Sequence, residues 1–155
     1  MRIVFLMIGK TSETYFSEAI SEYERRIKRY LPFDVVTIPD IKGVKVAVQQ
    51  LIQEGDAILR NIREDDYMVL LDERGDSFSS VTFAEHIAKL QNNFCKRIVF
   101  VIGGAYGFTK SVYDRANEKI SLSKMTFSHQ LVRVVFTEQL YRAFTIINNQ
   151  PYHHE

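Results

Sequence analysis

A glycine-rich segment, Gly103-Gly104-Ala105-Tyr106-Gly107, directly follows the apolar stretch from Arg97 to Ile102. Glycine permits positive φ and lets a ligand approach the backbone closely, so this segment is a candidate ligand-binding loop. Its spacing is not the G-x-G-x-x-G of dinucleotide-binding folds. It is not a phosphate-binding P-loop either, because Phe108-Thr109 stands where a glycine must precede Lys110. A tight turn without a ligand is the alternative.

The segment from Leu122 to Arg133 mixes apolar side chains with small hydroxyls and contains no turn dipeptide. A loop of this kind can wrap a flat heterocycle, with hydrogen bonds from the main chain and packing from Met125 and Phe127. A well-packed core connection fits the same composition equally well.

The stretch that follows is apolar almost all round, which makes its few polar residues conspicuous: Arg133, Glu138, Tyr141 and Arg142. Glu138 and Arg142 also have the four-residue spacing of an ordinary helix-surface ion pair. Beyond the stretch, Tyr152 and His153 can stack on a nucleobase or orient it by hydrogen bonds. A frayed terminus is the usual expectation for such a tail.

Metal chemistry is not expected from this sequence. Three of the four histidines lie at positions 129, 153 and 154, but no spacing of metal ligands fits. The single cysteine, Cys95, forbids an internal disulfide and is typical of a reducing compartment, so a cytosolic location is predicted.

Length and charge narrow the function further. The 155 residues suit one domain, and the formal net charge is only +1. Proteins that hold nucleic acid mainly through phosphates carry a clear basic excess, so an RNA-acting protein of this charge must use a local patch and shape recognition. The strongest basic cluster is Arg25, Arg26, Lys28 and Arg29. It is either an RNA contact or, as for most such clusters, a solvated helix face.

Hydrophobic periodicity predicts alternating strands and helices. Strands are expected at Arg2–Ile8, Phe33–Ile38, Tyr67–Asp72 and Arg97–Ile102, with a brief one near Ile120. Helices are expected from a Thr11-Ser12 cap to Tyr30, over about 46–62, from a Thr82/Glu85 capping box to about Asn92, from a Thr109 cap to Ala116, and over Leu131–Asn148.

This alternation predicts an α/β sandwich with a mainly parallel sheet. Ligands bind beyond the carboxyl ends of parallel strands, which points to the loops after Asp72, Ile102 and Ser121. A terminal helix that is apolar on two sides is either central in the fold or part of a subunit interface, and the interface is the preferred interpretation.

Three stretches together carry a family resemblance: FVIGGAYGF, SLSKMTFSHQLVRVVFTEQLYRAFTI and the ending NNQPYHHE. They resemble the small pseudouridine methyltransferases of the large ribosomal subunit, which belong to the trefoil-knotted SPOUT superfamily. The resemblance extends over nearly the whole chain, and it implies a single domain over 1–155. The implied fold is a three-layer α/β sandwich with a mainly parallel sheet and a C-terminal deep trefoil knot.

The resemblance also implies an activity and partners. The protein would be a cytoplasmic homodimer that transfers a methyl group from S-adenosylmethionine to N3 of a pseudouridine in 23S ribosomal RNA. Its substrate would be the assembled ribosome, and neither a membrane nor a metal would be involved. Alternatives are an α/β enzyme with a cofactor such as NAD, which the glycine spacing disfavours, and a non-catalytic ribosome-binding factor, which would have no reason to keep a cofactor loop.

Individual site residues follow from the resemblance position by position. The positions that match cofactor contacts are Leu71, Gly103, Leu122, Ser123, Lys124, Met125, Thr126 and Phe127. Those that match the methyl-acceptor side are His129, Arg133, Glu138, Tyr141, Arg142, Tyr152 and His153. Arg142 is the candidate for stabilising negative charge, and His129 or His153 for taking the proton. Ser128 stands where the family usually has proline, which predicts a less constrained loop.

Overall fold

The structure is a computed structural model that describes residues 1–93 and 96–154; Cys95, and the interpretation placed on it, lie outside the described residues. Within them the elements alternate as predicted: β1 (Arg2–Ile8), α1 (Thr14–Ile27), β2 (Phe33–Ile38), α2 (Ala47–Arg60), β3 (Tyr67–Ser77), α3 (Ser80–Asn92), β4 (Arg97–Ile102), α4 (Lys110–Arg115), β5 (Glu118–Ser121) and α5 (His129–Ile147). None of these helices is long and apolar enough to cross a bilayer.

The strands form one sheet in the order β2-β1-β4-β3-β5, and every described pair is parallel. The predicted parallel sheet is therefore confirmed. β3 runs beyond the predicted end at Asp72, because its register shifts between Leu71 and Asp76 and lets Asp76 and Ser77 pair with Ile120 and Ser121. This irregular extension carries the residues after Leu71 past the end of the central strands.

Helices cover both faces of the sheet, which gives the sandwich two apolar cores. One core joins β1, β3 and β4 to α1, α3 and α5 around Phe5, Phe100 and Phe136. The other joins the alternate residues of the same strands to α2 and α4. α5 packs between α1 and α3, which buries much of its apolar surface within the protomer, as a central helix requires. Leu131 is exposed, and Val134 and Val135 are half-buried.

Three predicted helix starts are wrong: α3 and α5 are capped by other residues, and α1 begins without a side-chain cap. α1 begins at Thr14, after Glu13, which makes no side-chain cap. The capping box of α3 is formed by Ser79 and Thr82 rather than by Thr82 and Glu85. α5 begins at His129, two residues before the prediction, because the hydroxyl of Ser128 accepts the N–H of Leu131. The Thr109 cap of α4 is confirmed.

Candidate active site

The irregular part of β3 after Leu71 and the loops after β4 and β5 meet at one edge of the sheet and enclose a cavity of about 490 Å³. The parallel topology predicted ligand-binding segments at these three places, although the first of them is part of a strand rather than a loop. A cavity of this size lies within the range typical of small-molecule sites. Its wall combines apolar side chains, main chain of the glycine segment and a small number of charged groups.

The glycine segment forms a tight turn closed by a hydrogen bond from the N–H of Gly107 to the carbonyl of Gly104, 3.2 Å long. Gly107 has φ of +76°, a conformation that side chains disfavour. A Cβ at Gly103 would lie 3.0 Å from the Gly107 carbonyl oxygen and 3.1 Å from the ring of Phe108. Glycine at position 103 therefore lets the loop fold back tightly against the cavity.

The opposite wall is the segment between β5 and α5. No backbone–backbone hydrogen bond holds residues 123–127 in the part of the chain that the structure describes. The segment is shaped by side chains instead: the Ser121 hydroxyl donates to the carbonyl of Ser123, and the Ser123 hydroxyl accepts the N–H of Met125. Main-chain groups without backbone partners are suited to hydrogen-bond a planar ligand.

The structure brings most of the predicted cofactor residues together. Those that line the cavity are Leu71, Gly103, Leu122, Ser123, Met125, Thr126 and Phe127, and His129 joins them at the start of α5. Lys124 belongs to the same loop, but its side chain is exposed and it is not among the described residues that line the cavity.

Several lining residues were missed by sequence reasoning, notably Asp72, Glu73, Arg74 and Tyr113. Asp72 follows Leu71 directly, and a carboxylate after a buried strand was the available signal. Its two oxygens are both engaged, one by the N–H of Arg74 at 2.8 Å and the other by the hydroxyl of Tyr113. Burial, and then the hydrogen bond to Asp72, raise the pKa of Tyr113 to about 12. The cavity thus holds a fixed carboxylate beside a neutral phenol.

The predicted acceptor-side residues form a second cluster, where α5 ends and the C-terminal tail folds back. Arg142 donates to Glu138 at 2.6 Å and to Nδ1 of His153 at 3.2 Å, and its guanidinium lies 4.8 Å from the ring centre of Tyr152. The Tyr152 hydroxyl donates to Glu138 at 3.1 Å, and Tyr141 packs edge-on against Tyr152. The anticipated Glu138–Arg142 pair exists, but as part of a network that holds the tail in place.

Proton positions in this cluster follow from the donors. A guanidinium can only donate, so Nδ1 of His153 accepts, and a neutral ring carries its proton on Nε2. The hydrogen bond to Glu138 raises the pKa of Arg142. Burial, followed by hydrogen bonds with Tyr23 and Glu138, raises the pKa of Tyr152 above its ordinary value. Arg142 is therefore a permanent cation and Tyr152 a neutral donor at physiological pH.

Helix α1 supplies a wall of this cluster that the sequence did not reveal. Tyr23 lies 5.9 Å from Tyr141 between ring centres, and Arg26 lies 5.5 Å from the Tyr141 ring. Within the basic cluster of this helix, Arg25 and Arg26 pair with Glu22, and Lys28 pairs with Glu24. This pairing favours the solvated helix face over a phosphate-binding patch.

Arg133 belongs neither to the cavity nor to the cluster around Arg142 in the protomer. It is 3% exposed, and its guanidinium donates to the carbonyls of Ile8 and Gly9 at 2.7 and 2.9 Å and to the hydroxyl of Thr11 at 3.0 Å. Burial lowers the pKa of Arg133 from its usual value. Its position anchors α5 to the carboxyl end of β1, whereas its predicted contact with substrate remains a prediction.

The two clusters lie at opposite ends of α5. His129, at the cavity, and Arg142 are thirteen positions apart, which is roughly 20 Å along an α-helix. Neither end contains a metal site: no group of three potential ligand side chains occurs among the described residues.

Comparison with known proteins shows the family to which this chain belongs. The chain belongs to the SPOUT methyltransferases, matching the family described as "Predicted SPOUT methyltransferase" over residues 1–153. It is similar to the ribosomal RNA large subunit methyltransferase H of Parabacteroides distasonis, with 54% identity over 157 residues and 100% of both chains covered. The protein of the same name from Christiangramia forsetii is 52% identical over 156 residues, with 99% of each chain covered.

Solved structures agree on the fold. A tRNA methyltransferase from Aquifex aeolicus matches with a TM-score of 0.55 at 16% identity, covering 100% of this chain and 76% of that one. A probable methyltransferase from Bordetella pertussis Tohama I gives 0.53 at 10% identity, covering 92% and 95%. SPOUT methyltransferases are knotted α/β proteins that use S-adenosylmethionine, so the predicted family, fold class and methyl donor are confirmed.

Proposed function

We propose that this protein methylates N3 of a pseudouridine in 23S ribosomal RNA, acting on the assembled ribosome. The observation that carries the proposal is the cavity between the glycine segment and the 121–127 loop, found in a chain of a methyltransferase family. The names of relatives about half identical over their full length support ribosomal RNA as the substrate.

The residues around the cavity fit S-adenosylmethionine. The apolar side chains of Leu71, Leu122 and Phe127 suit a purine ring, and main chain of the 123–127 segment suits its polar edge. The cofactor supplies a methyl group that is already activated by its bond to a sulfonium. The protein must therefore position the methyl group against the acceptor base and does not need to activate it. Asp72 and Glu73 place carboxylates at the same wall, where they favour a positively charged ligand.

The second cluster suits the acceptor base. Tyr152 and Tyr141 offer aromatic faces for stacking, and Arg142 places a permanent cation beside them. Removing the imide proton from N3 leaves a negative charge on the base, which Arg142 would stabilise. His129 is better suited than His153 to take that proton, because Nδ1 of His153 already accepts from Arg142.

A homodimer would bring the two clusters together. Within one protomer they are separated by roughly 20 Å of helix, too far for a direct methyl transfer. Large apolar side chains are exposed beside the cavity and at the start of α5, with Tyr106 54%, Met125 78% and Leu131 39% exposed. Large apolar side chains exposed in this way favour a subunit interface. We therefore propose a symmetric dimer in which each cavity faces the acceptor cluster of the other protomer.

Two further features belong to the proposal. The protein would work in the cytoplasm, where ribosomes are assembled, and residues 1–155 would form one methyltransferase domain. The match over residues 1–153 and the single sheet that joins all five described strands support this organisation.

Transfer of labelled methyl groups tests the proposal. The protein is incubated with S-adenosylmethionine and, separately, whole ribosomes, isolated large subunits and naked ribosomal RNA, and the product nucleoside is identified by mass spectrometry. We expect label in whole ribosomes, as N3-methylpseudouridine. The Arg142→Ala variant serves as control and should lose roughly two orders of magnitude in single-turnover rate. Transfer to none of the substrates would refute the proposal, and transfer to naked RNA alone would refute the ribosomal part of it.

A further inference from the structure

Glu54 is a buried carboxylate that neither cluster accounts for. It lies in α2 and is only 3% exposed. One oxygen accepts a hydrogen bond from the side-chain amide of Gln50 at 3.0 Å. The other, Oε2, is buried without a hydrogen-bond partner among residues 1–93 and 96–154. A buried acceptor left unpaired is costly, so its presence requires an explanation.

The unpaired oxygen lies directly behind the glycine segment. A Cβ placed on Gly104 would come within 2.6 Å of Oε2 and 3.0 Å of Oε1 of Glu54. The next residue of α2, Gly55, makes an equally close approach to Thr109, where an added Cβ would lie 2.7 Å from the hydroxyl. Two adjacent residues of α2 therefore pack against Gly104, in the segment that forms the cavity wall, and against Thr109, just beyond it.

Unused donors lie in the same segment. The N–H of Gly107 is taken by the carbonyl of Gly104, whereas the main-chain N–H groups of Ala105 and Tyr106 bond to no other residue that the structure describes. Both residues are exposed and line the cavity. A buried acceptor oxygen without a described donor thus lies behind a turn whose N–H groups at Ala105 and Tyr106 face water.

We propose that Glu54 is a positioning residue for the cofactor: its free oxygen accepts a main-chain N–H of the 104–106 turn when the turn settles around the bound molecule. Cofactor binding then pairs the one oxygen of this carboxylate that has no partner among the described residues, and this gain is part of the binding free energy. The inference rests on the proposed assignment of the cavity to S-adenosylmethionine, and it explains why the residue at position 104 has no side chain.

Calorimetric titration with S-adenosylmethionine tests the role of the carboxylate. Glu54→Ala should weaken binding roughly 10- to 100-fold, the range expected for one hydrogen bond to a charged group. Glu54→Gln keeps one carbonyl acceptor and should recover part of the loss. Asp56→Asn, on the exposed side of the same helix, is the matched control and should bind as wild type does. In steady-state kinetics the loss in Glu54→Gln should appear mainly as a higher KM for the cofactor and less in kcat.

Hydrogen exchange of residues 104–106 separates this role from a general loss of stability. In wild type their amides should become protected when cofactor binds, and in Glu54→Ala they should not. Wild-type protein that fails to bind cofactor would contradict the assignment of the cavity. Wild type and Glu54→Ala binding equally well, or gaining equal protection, would overturn the role of Glu54 alone.

A double-mutant cycle between positions 104 and 54 gives a second test, in which one variant keeps Glu54 and hinders it sterically. Gly104 has no positive φ, so alanine is compatible with its backbone, and the added Cβ meets mainly the Glu54 carboxylate. Gly104→Ala should weaken cofactor binding in the wild-type background and have little further effect beside Glu54→Ala. Equal losses in both backgrounds would show that Gly104 acts independently of Glu54 and would overturn the proposal.

Discussion

At the scale of single residues, the site depends on charges that are fixed before any ligand arrives. Asp72 is held by Tyr113 and by the N–H of Arg74, and Arg142 is held by Glu138. Such preorganisation reduces the reorganisation needed when charge develops during a reaction. The same contacts also shift the pKa values of some of the residues involved, and such shifts can be measured.

The phenol of Tyr113 should ionise at a higher pH than that of an ordinary tyrosine. Its pKa is raised from 10.0 to about 12 by burial and by the bond to Asp72, so the folded state favours the protonated phenol. The resulting stability is fully present below about pH 10 and is lost as pH rises toward the folded-state value. Ultraviolet titration of wild type minus Tyr113→Phe should therefore show one phenol ionising near pH 12. A difference spectrum centred near pH 10 would contradict the contact with Asp72.

At the scale of elements, sequence reasoning located the five described strands and the places of the three ligand-binding segments, because the central buried strands leave apolar runs that end sharply. It did not reveal that β3 continues through the first of these segments. It failed where a single hydroxyl decides the boundary: Ser79 and Ser128 are caps that periodicity does not reveal. It also missed Tyr23 and Tyr113, whose roles depend on residues 118 and 41 positions away in the chain. Contacts of that range are set by packing and have no local signal.

Ser128 gives a testable case of such a boundary. Its φ is −63°, which is the value that proline fixes, and its hydroxyl caps α5. Ser128→Ala should lower the free energy of unfolding by about 1 kcal/mol through loss of the cap. Ser128→Pro loses the same cap but restricts the unfolded chain, so it should stay within roughly 0.5 kcal/mol of wild type. Urea denaturation measures both, with exposed Ser21→Ala as the control; a large loss for the proline variant would contradict this geometry.

Arg133 should behave as the anchor of α5. Arg133→Met removes donors from the buried carbonyls of Ile8 and Gly9. The free energy of unfolding should fall by about 3 kcal/mol, because buried carbonyl oxygens are left without their donors. Arg25→Met, at an exposed ion pair, should change it by less than about 1 kcal/mol. An Arg133→Met protein of normal stability that fails only to bind ribosomes would instead support direct contact with substrate.

At the scale of the whole molecule, the two clusters of site residues are separated along α5. The cavity occupies one end of the helix, the acceptor cluster the other, and Arg133 ties the cavity end to the sheet. A net charge of +1 provides little general attraction to RNA. Recognition must therefore come from shape and from a few placed groups, and a dimer would double the surface that presents them.

Mixed dimers decide whether the two clusters cooperate across subunits. Gly103→Val places a side chain where even a Cβ would lie 3.0 Å from the Gly107 carbonyl, so it should block the cavity, while Arg142→Ala disables the acceptor cluster. Each variant alone should be inactive. Equal amounts, unfolded together and refolded, should recover about one quarter of wild-type activity, because half of the dimers then contain one intact composite site. Sedimentation first tests whether wild type and both variants form the proposed dimer, and calorimetry whether Gly103→Val binds cofactor. Activity that stays at the level of the single variants would place both clusters in one protomer and would require the tail or α5 to move by roughly the length that separates them.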